Sequence, residues 1–413
     1  MGSSLLLVLL IASRAAAQAP DTLRIADVVS EARRANPMLL AARYQADAAG
    51  ERGSQAGALP DPVLSLGLRN RPLGDFGTDN PMTMNWIGLS QRFPWPGNQG
   101  FGQQRQEHFA RAADLDAHEM EAALVSRVKE AYFQLAFMDR ALIIMASTRE
   151  LLRDFLEVTS ARYAVGTGLQ QDILQAQIAI AQMTADITIV EQNRVAMAAR
   201  LNSLLGRPAT VPVGSLELPD PVGSPPTVDS LMAVAAVNRP AIRAARERAL
   251  AADAAYRAAE RDAYPDFTVA LGYGQRPEFE DLATIEVGIS LPLWSGSKQK
   301  PRVREMQAFQ STEEARELDL HNETFARLSE LRAAAERARD LSELYRTSII
   351  PQAMAAVESA LSAYRVGEVD YMTLLSNQTT VNRFETERVR LAAEYQASVA
   401  GIEALTGLET AVR

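Results

Sequence analysis

The sequence predicts an α+β membrane protein, built mainly of long α-helical hairpins with four transmembrane β-strands per chain. Three observations predict it. The chain repeats itself about 200 residues on. Each copy sets two short alternating strands between long helical stretches. No segment after the N-terminus has 18 consecutive apolar residues, so strands must do any spanning.

The duplication is read from matched pieces in matched order. Tyr163-Ala164-Val165-Gly166 recurs as Tyr364-Arg365-Val366-Gly367, and Ala41-Ala42-Arg43 as Ala244-Ala245-Arg246. Pro60-Asp61 recurs as Pro265-Asp266, Arg71-Pro72 as Arg276-Pro277, and Trp95 as Trp294. Ile87-Gly88-Leu89-Ser90 recurs as Val287-Gly288-Ile289-Ser290. The offset stays between about 199 and 205, as expected for two copies of one structural unit.

Composition narrows the function classes. With 47% hydrophobic and 23% charged residues, the chain is a folded protein. It has no cysteine, which excludes disulfides, thiolate metal sites, cysteine nucleophiles and lipidation through an N-terminal cysteine. A net charge of -9 argues against nucleic acid as a partner. Leu5 to Ala12, followed by Ala15-Ala16-Ala17, reads as a signal peptide cleaved after Ala17, although a basic leader is missing. The expected organisation is a signal peptide at 1–17, a first repeat at 18–206, a Pro/Gly-rich linker at 207–227, a second repeat at 228–407 and a tail at 408–413.

In order, Leu23 to about Leu59 reads as helix, with Pro37 near its start either tolerated or making a kink, and Pro60 and Pro62 ending it. A strand pair follows. Gln99 to Arg162 is a proline-free helical stretch of roughly 96 Å at 1.5 Å per residue. Gly166-Thr167-Gly168 breaks it, and a second helix runs from about Leu169 to Leu205. The second copy repeats the plan: a helix from Val228 to Ala263, a strand pair, a long helix from Gln299 to Arg365, a turn at Val366-Gly367-Glu368, and a helix from Asp370 to Leu405.

The strands carry the membrane argument. Leu64, Leu66 and Leu68 alternate with Ser65, Gly67 and Arg69, and Ile87 and Leu89 with Gly88 and Ser90. Phe267, Val269, Leu271 and Tyr273 alternate with Thr268, Ala270, Gly272 and Gly274. Ile285, Val287, Ile289 and Leu291 alternate with Glu286, Gly288, Ser290 and Pro292. The first set in each strand is expected to face lipid, with Glu286 in the lumen. Four strands leave open edges that lipid cannot satisfy, so closure needs more than one chain, eight strands from two or 12 from three.

These features, with Pro94-Trp95-Pro96-Gly97 and Leu293-Trp294-Ser295-Gly296 after the strands, resemble the TolC-like outer-membrane efflux proteins over residues 22–407. Pro60-Asp61-Pro62 and the segment 91–97 are most similar to members serving heavy-metal or multidrug exporters. The resemblance implies a homotrimer closing a 12-stranded β-barrel in the outer membrane. Below it, an α-barrel would cross the periplasm to an adaptor and an inner-membrane pump. It implies a passive duct with no cofactor and no catalysis.

In that family the helix turns are periplasmic tips that dock the adaptor and gate the pore. They fall here at Gly166, Thr167 and Gly168, and at Gly367 and Glu368. A tyrosine of the second tip bonds an aspartate of the first in well-studied members, and these fall at Tyr364 and Asp172. A partnering arginine would fall at Val369, and two pore-constricting aspartates at Thr373 and Ser376. The sequence departs at all three, which implies a weaker latch and no assumed acidic ring; Asp370 and Glu368 are the available replacement charges.

Other constellations point nowhere specific. His108, His118 and His321 lack zinc spacing and read as solvated helix positions. Residues 97–102 are glycine-rich but lack a phosphate-loop lysine, and read as a hinge. No G-x-S-x-G occurs. Met82 and Met84 could hold Cu(I) but read as packing. The rival functions are an outer-membrane duct for type I protein secretion, a periplasmic adaptor with a helical hairpin, and an exported enzyme. Duplicated hairpins oppose the adaptor, and the missing catalytic set opposes the enzyme.

Overall fold

In the computed structural model, residues 22–74 and 79–408 are described. The expected signal peptide at 1–17 and residues 409–413 of the expected tail lie outside them. The chain forms two compact units: Met1–Ala35, Arg127–Ser224 and Ala335–Ala397 make the first, and Asn36–Ser126, Pro225–Ala334 and Ser398–Arg413 the second. Each draws on both sequence repeats.

The element order follows the duplication. The first copy runs β1 (Thr22–Leu23), α1 (Ile25–Ala35), α2 (Pro37–Gly57), β2 (Val63–Arg69), β3 (Met84–Phe93), α3 (Asn98–Ala164) and α4 (Gln170–Leu204). After β4 (Ser215–Leu216) come α5 (Val228–Asn238), α6 (Pro240–Arg261), β5 (Phe267–Gln275), β6 (Leu282–Ile289), α7 (Gln299–Leu344), α8 (Ile350–Val366) and α9 (Tyr371–Thr406).

Three expected helical stretches are broken, the first of them at Pro37, where a kink is one of the two readings. The Leu23–Leu59 stretch splits at Asn36, and the Val228–Ala263 stretch at Arg239, because Pro37 and Pro240 each disfavour a helical residue before them and start a new helix at its first position. The Gln299–Arg365 stretch is interrupted by a π-helical turn at Tyr345–Ile349. Pro351 has no N–H to return to the preceding turn, and there the Ile350 N–H bonds the Tyr345 carbonyl five residues back. The linker is also not featureless, since β4 pairs in parallel with β1. Tyr132 Oη ties this small sheet by donating to Leu23 O (2.8 Å) and accepting from Glu217 N (3.2 Å).

In the second unit, β2-β3-β5-β6 form one antiparallel sheet with β2 and β6 as its edges. Its register sorts the side chains into two faces. Leu64 pairs with Leu89, Leu66 with Ile87, Leu89 with Leu271, Ile87 with Tyr273, Phe267 with Ile289, Val269 with Val287 and Leu271 with Ile285. Directly opposed residues share a face, so with Leu68 the expected lipid-facing residues of the four strands lie on one side. That side is exposed, Leu66 by 72%, apart from Phe267, which is half-buried and stacks on Trp95. The exception to the shared side is Leu291. It lies past the end of β6, where Pro292 has no N–H to continue a ladder and Leu293 N turns back to Leu291 O.

The helices pack through small residues. In the first unit α4 buries Ala176, Ala179, Met183 and Ile187, spaced as a coiled-coil seam, against Leu152 and Phe155 of α3 and Val357 and Ala360 of α8. The opposite face of α4 keeps Leu174, Ile178 and Ile189 exposed. With two apolar faces, α4 is long and apolar enough to cross a membrane by length and composition. Polar residues such as Gln182, Asp186 and Glu191 keep it from being an unbroken apolar run.

Candidate functional site

The two helix turns of the first unit are built the same way. After α3, Gly166 adopts a left-handed φ of 78°; its N–H bonds Tyr163 O (3.0 Å), and Thr167 N bonds Arg162 O (2.9 Å). After α8, Gly367 has φ 87°; its N–H bonds Tyr364 O (3.1 Å), and Glu368 N bonds Ala363 O (3.0 Å). Both are Schellman motifs, which use up the last helix carbonyls and need a residue free of a Cβ at the left-handed position. Thr167, Gly367 and Glu368 are exposed, and Gly168 is half-buried under Arg162.

The structure brings Tyr364 and Asp172 together. The Tyr364 hydroxyl donates to Asp172 Oδ2 at 3.0 Å. Tyr364 is only 2% exposed and stacks edge-on against Tyr371, 1% exposed, with ring centroids 5.8 Å apart. Burying two such rings contributes about 3–6 kcal/mol to this end of the bundle. Burial, then the bond to Asp172 and its charge, raise the Tyr364 phenol; burial, then the charge of Asp172, raise Tyr371 to about 12. Both therefore stay protonated, and Tyr364 remains a donor at neutral pH. The Tyr371 hydroxyl is buried with no partner among the described residues.

Arg162 belongs to this site and was not anticipated. Its guanidinium donates to the Tyr364 backbone carbonyl and to Thr167 O (3.0 Å), and lies 4.5 Å above the Tyr364 ring. It thus joins the two turns by hydrogen bonds and a cation–π contact. A signal existed, since Arg162-Tyr163 aligns with Ala363-Tyr364 and the arginine is an asymmetry between otherwise matched turns. Val369 holds no cation, and the guanidinium beside Tyr364 belongs to the first turn. Asp370 caps α9 instead of facing outward alone, accepting from Thr373 N (2.8 Å) and Oγ1 (2.6 Å), and these bonds hold its carboxyl below the usual range.

The residues set aside earlier have ordinary roles. His108 is a correction: it is largely covered, and its Nδ1 meets Glu247 Oε2 at 2.8 Å beside Arg111. Met84 covers Gly274 on the sheet. Gly97, with φ 93°, is the bend that admits α3.

The sequence matches the family model described as outer membrane efflux protein over residues 28–207 and 231–408. No curated protein matches it. Among solved structures, CusC, described through conformational changes accompanying folding and transmembrane channel formation, superposes with a TM-score of 0.82 at 16% identity, covering 94% of this chain and 92% of that one. The outer membrane protein VceC from Vibrio cholerae gives 0.79 at 17%, covering 93% and 96%. The open state of the MtrE outer membrane channel from Neisseria gonorrhoeae gives 0.77 at 16%, covering 93% and 89%. At these identities the likeness is one of fold.

Proposed function

The chain belongs to the outer membrane efflux protein family, whose members are outer-membrane channels with a helical periplasmic domain and not enzymes, and from that premise we propose that it is the passive exit duct of a tripartite system. Three copies would close the barrel. The sheet has two open edges, β2 and β6, and each unpaired backbone group in lipid costs several kcal/mol. Four alternating strands let β6 of one copy meet β2 of the next antiparallel, giving 12 strands from three chains. The exposed face of α4, with Leu174, Ile178 and Ile189, suits burial against a neighbouring copy. Small molecules, drugs or heavy-metal ions, would arrive from an inner-membrane pump through a periplasmic adaptor docked at the turns.

The observation that carries the gating part is the Tyr364–Asp172 hydrogen bond. With Arg162 it ties the second turn to the first, so opening would require separating them, a two-state motion biased by adaptor contact. Asp172→Ala is expected to raise single-channel conductance of the isolated protein, and Arg162→Ala to act in the same direction. Unchanged conductance in both would remove the latch. Cross-linking in isolated outer membranes tests the duct itself. A trimer is the expected species, and a soluble periplasmic monomer would overturn the reading.

A further inference from the structure

On the small-residue face of the sheet Trp86 lies among glycines. Trp86 is paired with Gly67 on β2 and Gly274 on β5, and Gly88 and Gly272 lie one step further along. A Cβ on Gly272 would sit 1.9 Å from Trp86 Cη2, and one on Gly88 2.7 Å from Nε1. The indole therefore lies flat on a glycine floor, and any larger residue at either site would lift it. Its Nε1 is buried with no acceptor among the described residues, so hydrogen bonding does not explain the placement.

What the flat indole does is hold a charge. The Arg69 guanidinium carbon is 3.6 Å from the ring centroid, a close cation–π stack. Arg69 is exposed, and no carboxylate pairs with it among the described residues. It ends β2 opposite Met84, at the sheet end away from the helices. Of the other charges on this face, Arg92 is neutralised by Asp266 at 2.5 Å. Glu286 shares its row with Val63, six residues from Arg69, roughly 20 Å along the strand. That is beyond the screening length of about 8 Å at physiological salt.

We propose that Arg69, braced on Trp86, forms a positively charged ring at the outer end of the lumen that favours the passage of anions. The ring rests on the trimeric duct reading, which supplies three copies of the stack around one pore. Rings of arginine or lysine select anions by lowering the barrier for negative charge. The glycine floor adds a steric role, keeping the indole against the wall while its face presents the cation.

The test is the zero-current potential of the full-length protein in planar bilayers under a KCl gradient, for wild type, Arg69→Gln and Arg69→Lys. The expected result is a fall of about threefold or more in the chloride-to-potassium permeability ratio for Arg69→Gln, with Arg69→Lys retaining the wild-type preference. Equal ratios in wild type and Arg69→Gln would overturn the ring. A wild-type protein that forms no pores would instead defeat the duct reading, and a trimer band for Arg69→Gln shows that the variant assembles.

Discussion

At residue 36 in the first repeat and residue 239 in the second, one non-helical residue separates the end of a helix from a proline on which another begins. Asn36 caps the new helix itself, its Oδ1 accepting from Met38 N (2.9 Å) and Leu39 N (3.0 Å). Arg239 has no acceptor to offer. Glu119 of α3 supplies one, its Oε2 taking Ala241 N (3.1 Å) and its Oε1 taking two Arg239 nitrogens (3.1 and 2.8 Å). The first joint is encoded locally, while the second borrows its cap from a residue 120 positions away. The long helices and the turns diverge in the same manner. α3 is unbroken, whereas a π-turn separates α7 from α8. Tyr163 is 47% exposed, whereas its counterpart Tyr364 is buried and bonded to Asp172. Duplication preserved the plan and let each copy find its own partners.

The largest expected effect concerns the long helices. Glu150 occupies in α3 the place that Pro351 takes in the second copy, by the offset of the turns. Glu150→Pro should cost about 3 kcal/mol or more, because α3 lacks a π-turn to absorb the missing donor. Pro351→Ala should cost under about 1 kcal/mol. Denaturant unfolding of both variants measures this, and similar losses would mean that the π-turn accommodates nothing.

A smaller effect separates the joints. Glu119→Ala leaves Arg239 and the α6 start without their partner and should cost about 2–3 kcal/mol. Asn36→Ala should cost about 1 kcal/mol. Hydrogen exchange at the starts of α2 and α6 would localise each loss. A larger loss for Asn36→Ala would contradict the comparison.

The smallest effect is one of pH. Tyr364 and Tyr371 have raised phenol values. Protons are held more tightly in the folded state, so their contribution is complete below about pH 10 and is lost as pH rises through the folded values, near 12 for Tyr371. Ultraviolet titration should show Tyr364 and Tyr371 among the late-ionising tyrosines, beside Tyr132 and Tyr395, which burial also raises, and conductance should not change between pH 7 and about 10 on their account. Early ionisation of every tyrosine would mean that the turn is open in solution.

The sequence by itself determined what depends on short-range geometry. Period-2 alternation assigned the apolar residues of β2, β3, β5 and β6 to one face, and left-handed glycines at 166 and 367 set the turns. It overran at Leu291 because alternation continues through Pro292 although the backbone ladder cannot. It left α1 and α2 undecided between one helix and a kink at Pro37 and ran α5 into α6, because helical composition persists across a proline that only backbone sterics convert into a boundary. The Asp172–Tyr364 pair was legible only by resemblance, since nothing in local patterning links positions 172 and 364. Tertiary structure alone decided that Arg162 would reach Tyr364, that Glu119 would cap α6, and that Trp86 would lie on Gly272. Each joins residues far apart in the chain, and side-chain reach and space exist only once the backbone has brought them together.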